Sequence, residues 1–286
     1  TGPGSSMGKT LTESPDIAGI TFTGSYDVGM QIYCTFGGAR YVRPTILEMG
    51  GKNPTIISRN ANIEDAALGS VRSSFGLQGQ KCSACSRVFI EEPRYEAVTK
   101  RMVELTEMLS IGDPTDRQVY MGPVINQRSY EDYQAFVKEL GAVGKILTGG
   151  KILSEGDYSK GYFCTPTIVA DVPLNHRLWK TEMFVPIVMV APVKDLEEAM
   201  QLANDVDYGL TAGMYGTQAE VDWFFDHIEA GTVYANRPQG STTGAWPGFQ
   251  PFGGWKGSGS SGKNGGGLYY VQLYMHEQSR TLVKRS

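Results

Sequence analysis

Cysteine is scarce: four residues, Cys34, Cys82, Cys85 and Cys164, in a chain of 286. That excludes a disulfide-built scaffold and fits a reducing, cytoplasmic setting. Long apolar runs are also missing. The longest are strand-length, so no segment reads as a bilayer-spanning helix, and no membrane partner is expected. The start lacks the basic stretch and apolar core of a signal peptide. Positive charge is in deficit, with 26 Lys and Arg against 30 Asp and Glu for a net charge of −4. These charges are scattered, so there is no electrostatic footprint for nucleic acid. The three histidines, His176, His227 and His276, are isolated from one another, and no metal site is expected.

What is present is ordinary for a globular protein, with 41% apolar and 20% charged residues. Glycine is plentiful, 36 residues in short clusters. Glycine concentrates where backbone turns tightly or approaches a ligand, so several ligand-facing loops are expected. The opening Thr1-Gly2-Pro3-Gly4 reads as a turn that should follow a strand, which suggests a chain lacking an N-terminal part.

Strand and helix signals alternate. Residues 18–23 (AGITFT), 43–49, 55–57 and 87–90 read as strands, and helices are expected from Val28 onward and over 60–75, the latter capped by Asn60 or Asn62. Further on, helices are expected over 95–109, 127–140, 196–204 and 221–228. Strands are expected over 145–147, 167–170, 187–193, 211–215 and 232–235. This alternation predicts an α/β fold with a mainly parallel sheet. Residues 237–267, rich in Gly, Ser and Pro, read as a long functional loop. Residues 268–283 read as an extended arm.

Two positions stand out chemically. Cys82 lies just past a glycine-broken helix and just before an apolar strand, where a side chain can face a cleft. Lys81 beside it could favour the thiolate, the reactive form. A redox pair with Cys85, half of a zinc site and a structural thiol are the alternatives. Glu48 ends an apolar strand before Gly50-Gly51, and partial burial there would raise its pKa toward the working pH of a general base. A structural role beside Lys52 is the bland alternative. Gly24-Ser25, at a strand-to-helix turn, could receive a phosphate or serve as a plain tight turn.

Six segments occur in order along nearly the whole chain: TFTGS (21–25), LEMGGKNP (47–54), GQKC (79–82), TEMFVPIV (181–188), AND-x-DYGLTAG (203–213) and PFGGWKGSG (251–259). Together they resemble the aldehyde dehydrogenase superfamily. FGLQGQKCSACSR (75–87) and the stretch around Thr243 look closest to its 1-pyrroline-5-carboxylate dehydrogenase-like members. The resemblance implies NAD- or NADP-dependent oxidation of an aldehyde, with Cys82 as nucleophile and Glu48 as the base that activates water. Gly24, Ser25, Gly50, Glu182 and Phe184 would bind the cofactor. Ser83, Gly244 and Ala245 would hold a substrate α-carboxylate, and Phe252 would pack on its aliphatic part.

The resemblance also implies a division into residues 1–50 (remnant of the cofactor domain), 51–267 (catalytic domain) and 268–286 (oligomerisation arm of a homo-oligomer). The small-molecule partner would be glutamate semialdehyde, oxidised to glutamate in proline catabolism. A broad-specificity aldehyde oxidiser, a CoA-acylating relative and a non-catalytic assembly fragment are alternatives. Two departures matter. Val185 stands where the family usually has glycine and could crowd the nicotinamide, and Trp246-Pro247 is bulky for the substrate loop.

Overall fold

The computed structural model describes residues 1–238 and 250–284. In chain order the regular elements are α1 (Lys9–Glu13), β1 (Ile20–Thr23), α2 (Tyr26–Gly37), β2 (Thr45–Glu48), β3 (Asn53–Ile57), α3 (Ile63–Phe75), β4 (Cys85–Glu91), α4 (Glu92–Glu107) and α5 (Gln127–Val143). There follow β5 (Lys145–Thr148), β6 (Ile152–Leu153), β7 (Phe163–Cys164), β8 (Thr167–Ala170), β9 (Ile187–Val193), α6 (Leu196–Asn204) and β10 (Tyr208–Gly209). The series closes with β11 (Thr211–Tyr215), α7 (Gln218–His227), β12 (Thr232–Ala235) and β13 (Trp255–Lys256).

Among the described residues the main sheet has the order β12-β11-β3-β4-β9-β8-β5. Every neighbouring pair is parallel except β5 with β8. The expected α/β architecture is what forms. A parallel strand buried on both faces needs apolar residues on both, and β4 shows it. Phe89 faces the cluster with Met189 and Met214, while Val88 and Ile90 face the one with Val188, Val190 and Tyr215. Helices α3 and α4 cover the second face through Val71, Phe75, Val98 and Met102. Helices α5, α6 and α7 cover the first through Tyr133, Ala199, Met200 and Phe224. The result is three layers.

Strands β1 and β2 pair in parallel as a separate two-stranded sheet. The free side of β2 is closed by chain from far away. Leu47 N donates to Ser260 Oγ at 2.8 Å, and Glu48 and Gly259 form an antiparallel bridge. Two expectations need correcting. Residues 237–267 are not all loop, because β13 pairs antiparallel with β10. Residues 268–283 are not extended throughout: a turn leads into one 3-10 turn at Val271–Tyr274, where Thr21 Oγ1 donates to Tyr274 Oη at 2.9 Å, before the chain runs on without regular structure. The chain is helical from Gly4 into α1.

Candidate active site

The nucleophile candidate sits at the amino ends of the sheet strands. Helix α3, capped by Asn62, runs to Phe75, and the chain then turns sharply. Leu77, Gln78 and Gly79 all take left-handed backbone angles, with φ of 52°, 58° and 67°. Two of them are not glycine, so this turn stores strain of about 1–3 kcal/mol per residue. Cys82 follows in a tight turn closed by Ala84 N to Lys81 O at 3.0 Å, and β4 begins at Cys85.

Cys82 is half-buried, whereas Cys85 is buried among core residues with its Sγ 3.2 Å from Thr55 Oγ1. All four cysteines are free thiols. The two cysteines therefore have unlike surroundings, one in a cavity wall and one in the core. Among the described residues no three His, Cys, Asp or Glu side chains gather as metal ligands would.

Glu48 and Cys82 line one cavity of about 270 Å³, together with Thr23, Leu210, Phe252 and Gly265. Burial lifts the Glu48 carboxyl from its ordinary 4.5 to about 7, against the opposing pull of a hydrogen bond from the Gly265 backbone. Among the described residues, Glu48 Oε2 has no hydrogen-bond partner. A carboxyl poised there, with one oxygen unengaged, can take or give a proton at neutral pH. Lys52 is not its partner. Its side chain is buried, and burial followed by the charge of Arg87 drives its pKa far down.

The Cys82 thiol is pushed up, first by burial and next by the Glu182 and Glu48 carboxyls, while the Ser83 and Cys82 backbone N–H groups pull it down. Lys81 does not reverse this, because burial lowers its own pKa. The expectation that Lys81 favours a resting thiolate fails: desolvation outweighs one half-buried neighbour. A base is then needed to deprotonate Cys82, and Glu48 stands on the same cavity wall.

The cofactor candidates gather at two places. Ser25 caps α2, its hydroxyl accepting from Val28 N, and a side chain on Gly24 would run into the Phe22 ring. Asp27 in the first turn of α2 already answers the helix dipole there. Glu182 lies beside Cys82: its Oε1 accepts from Gly51 N at 2.9 Å, and a side chain on Gly50 would collide with its carboxylate. Burial raises its pKa. Phe184, at φ 56°, presents a ring 43% exposed, while Val185 is buried in the core. A nicotinamide dinucleotide fits these residues. Ser83 is 2% exposed, and its carbonyl accepts from Thr211 Oγ1. Gly244, Ala245, Trp246 and Pro247 lie outside the described residues.

Two residues in the quoted segments were assigned no role and hold the site together. Asn53 binds the turn carrying Cys82. Ser258, fully buried, donates from Oγ to Gly50 O at 2.7 Å and accepts from Gly209 N at 3.1 Å. Their placement inside glycine-rich segments is the only sequence signal either gives.

The aldehyde dehydrogenase family model matches residues 1–279. The chain belongs to the aldehyde dehydrogenase family. Among its relatives, the 1-pyrroline-5-carboxylate dehydrogenase of Geobacillus sp. (strain WCH70) is 40% identical over 286 residues, 98% of this chain and 54% of the relative. That of Bacillus subtilis (strain 168) is 39% identical, over 98% of this chain and 53% of the relative. A solved structure of 1-pyrroline-5-carboxylate dehydrogenase from Thermus with bound NAD matches with a TM-score of 0.89 at 38% identity, covering 96% of this chain and 52% of that one. A betaine aldehyde dehydrogenase from Staphylococcus aureus in complex with NAD+ gives 0.86 at 27% identity, over 92% and 53%. The chain thus spans about half the length of the curated relatives it matches. No helix among the described residues is long and apolar enough to cross a membrane.

Proposed function

We propose that this chain supplies the nucleophile and base of an NAD(P)-dependent aldehyde dehydrogenase that oxidises glutamate semialdehyde, the open form of 1-pyrroline-5-carboxylate, to glutamate. The observation that carries the reading is the shared cavity of Cys82 and Glu48, with the Glu48 carboxyl held near 7. Relatives named 1-pyrroline-5-carboxylate dehydrogenase, about 40% identical, favour that substrate over a general aldehyde.

In the first step Glu48 takes the Cys82 proton, and the sulfur bonds to the aldehyde carbon to give a thiohemiacetal. When bound, the nicotinamide dinucleotide supplies the acceptor for the hydride on that carbon, which leaves a thioester on Cys82. Glu48, its first proton returned to solvent through the cavity, then draws a proton from water. The water oxygen bonds to the acyl carbon, the C–S bond breaks, and the acid departs. Splitting the oxidation in this way lowers each barrier. Gly24 and Ser25 would meet the pyrophosphate, and Gly50, Glu182 and Phe184 the nicotinamide riboside. Ser83, Gly244 and Ala245 would take the substrate carboxylate, with Phe252 against its methylenes. We assign residues 1–50 to the cofactor side, 51–267 to the catalytic domain and 268–286 to assembly of a cytoplasmic homo-oligomer.

The test is reduced-cofactor formation with NAD or NADP and either pyrroline-5-carboxylate or a simple aliphatic aldehyde. The expected result is turnover that prefers pyrroline-5-carboxylate. Equal rates with both aldehydes would sink the substrate assignment and leave a broad-specificity enzyme.

A further inference from the structure

The turn that carries Cys82 is tied down by its carbonyls. Asn53, at the amino end of β3 and 3% exposed, donates from Nδ2 to Cys82 O at 2.8 Å and to Ala84 O at 2.9 Å. Its Oδ1 accepts from Thr211 N, on β11, at 2.9 Å. The carboxamide orientation follows from its partners, since two carbonyls only accept and a backbone N–H only donates. Thr211 then donates its hydroxyl to Ser83 O at 3.3 Å. Three consecutive carbonyls, of residues 82, 83 and 84, are thus held toward the sheet. Gly51 makes room for this arrangement: a Cβ there would lie 2.5 Å from Cys82 O and 2.7 Å from Asn53 Oδ1.

A peptide unit is planar and trans, so its C=O and N–H point in opposite directions. Holding the Cys82 carbonyl inward therefore turns the Ser83 N–H outward. The Ser83 and Cys82 N–H groups do bond to the thiol, the main influence there that opposes burial. Donors aimed at sulfur lie close to where an oxygen on a sulfur-bound carbon would gather negative charge, and fixed donors at that point stabilise a transition state.

We propose that Asn53, seconded by Thr211, is the positioning residue that aims the Cys82–Ser83 peptide at the reacting centre. Asn53 touches no substrate and acts only through the backbone it holds. The proposal rests on the reading of Cys82 as nucleophile. A purely structural Asn53 would also be buried and bonded, but it would leave the behaviour of the thiol unchanged.

The experiment measures alkylation of each cysteine by iodoacetamide from pH 6 to 10, resolved by peptide mass, on the chain itself and on Asn53→Ala and Thr211→Val. Thr211→Val keeps the shape of the side chain and the backbone N–H that Asn53 uses. We expect the Cys82 curve to move up by about one pH unit in Asn53→Ala, which is roughly tenfold slower labelling at neutral pH. In Thr211→Val labelling slows about threefold, and exposed Cys34 labels as before in both. A Cys82 curve unchanged in the folded variants, Thr211→Val alone sufficing if Asn53→Ala does not fold, overturns the proposal. Failure of the underlying reading shows elsewhere: it would appear as aldehyde turnover surviving in Cys82→Ala.

Discussion

The two catalytic candidates stand on unequal ground. Cys82 is held by β3, β4 and β11, in a sheet whose central residues Ile56, Val88, Ile90, Val188 and Val190 are wholly buried. Glu48 ends β2, in a two-stranded sheet whose attached helix and loop leave Tyr33, Tyr41 and Val42 exposed, Val42 at 90%. Burial of apolar surface is the main stabilising contribution in any fold, and it is concentrated on the cysteine side. Glu48 is placed instead by hydrogen bonds between its strand and residues 258–260 and by the neighbouring Gly265 backbone. One half of the site is fixed by packing and the other by stitching.

Variants can break that contrast, and the largest effect should come from the nucleophile. Cys82→Ala should lower aldehyde turnover by a factor on the order of 10⁴ or more. Cys85→Ala, three residues on and in the core, should instead cost about 1–2 kcal/mol of stability in a urea melt while turnover persists. Glu48→Gln should slow the first-turnover formation of reduced cofactor as well as the steady rate, the latter by about 10²–10⁴. The rate in the unaltered enzyme should rise with pH through about 7 and that limb should vanish in the variant. Steady turnover by Glu48→Gln would falsify the assignment of the base.

Stability measurements sharpen the same comparison. Ser258→Ala strands the Gly209 N–H and the Gly50 carbonyl, and should cost roughly 2 kcal/mol. Hydrogen exchange should then rise at β2 well before β4, and equal rises in both would remove the distinction drawn above. The smallest effect concerns pH. The folded-state pKa of Glu48 is raised from 4.5 to about 7, so the folded chain binds the extra proton between those values. The resulting stabilisation is complete below 4.5 and lost as pH rises through 7. Glu48→Gln should therefore gain on the unaltered chain above pH 7, by on the order of 1 kcal/mol after solvent screening, and show no gain below pH 4.5.

Periodic apolar segments were legible from sequence, and the strands Ile187–Val193 and Thr211–Tyr215 and the helix Leu196–Asn204 fall where the pattern puts them. The pairing of β10 with β13 was not, because two-residue strands carry no period and form only when distant chain arrives. At the site, Cys82, Glu48 and Phe252 were legible through their motifs, and the cavity brings all three together. Asn53 was invisible, since a buried, fully bonded carboxamide looks in sequence like any other asparagine. Lys81 misled for a related reason: adjacency in sequence says nothing about desolvation, and desolvation governs both Lys81 and Cys82.

The Leu47–Ser260 contact spans 213 positions, and Gly50–Ser258 spans 208. On a ribosome adding about 5–20 residues per second, roughly ten to forty seconds separate the emergence of those partners. The cysteine turn needs β11 and is in place earlier, since Thr211 precedes Ser258 in the chain. The nascent polypeptide thus completes the Cys82 turn before Glu48 can be seated. Until residues 258–260 arrive, it carries the Cys82 thiol with no fixed carboxyl beside it.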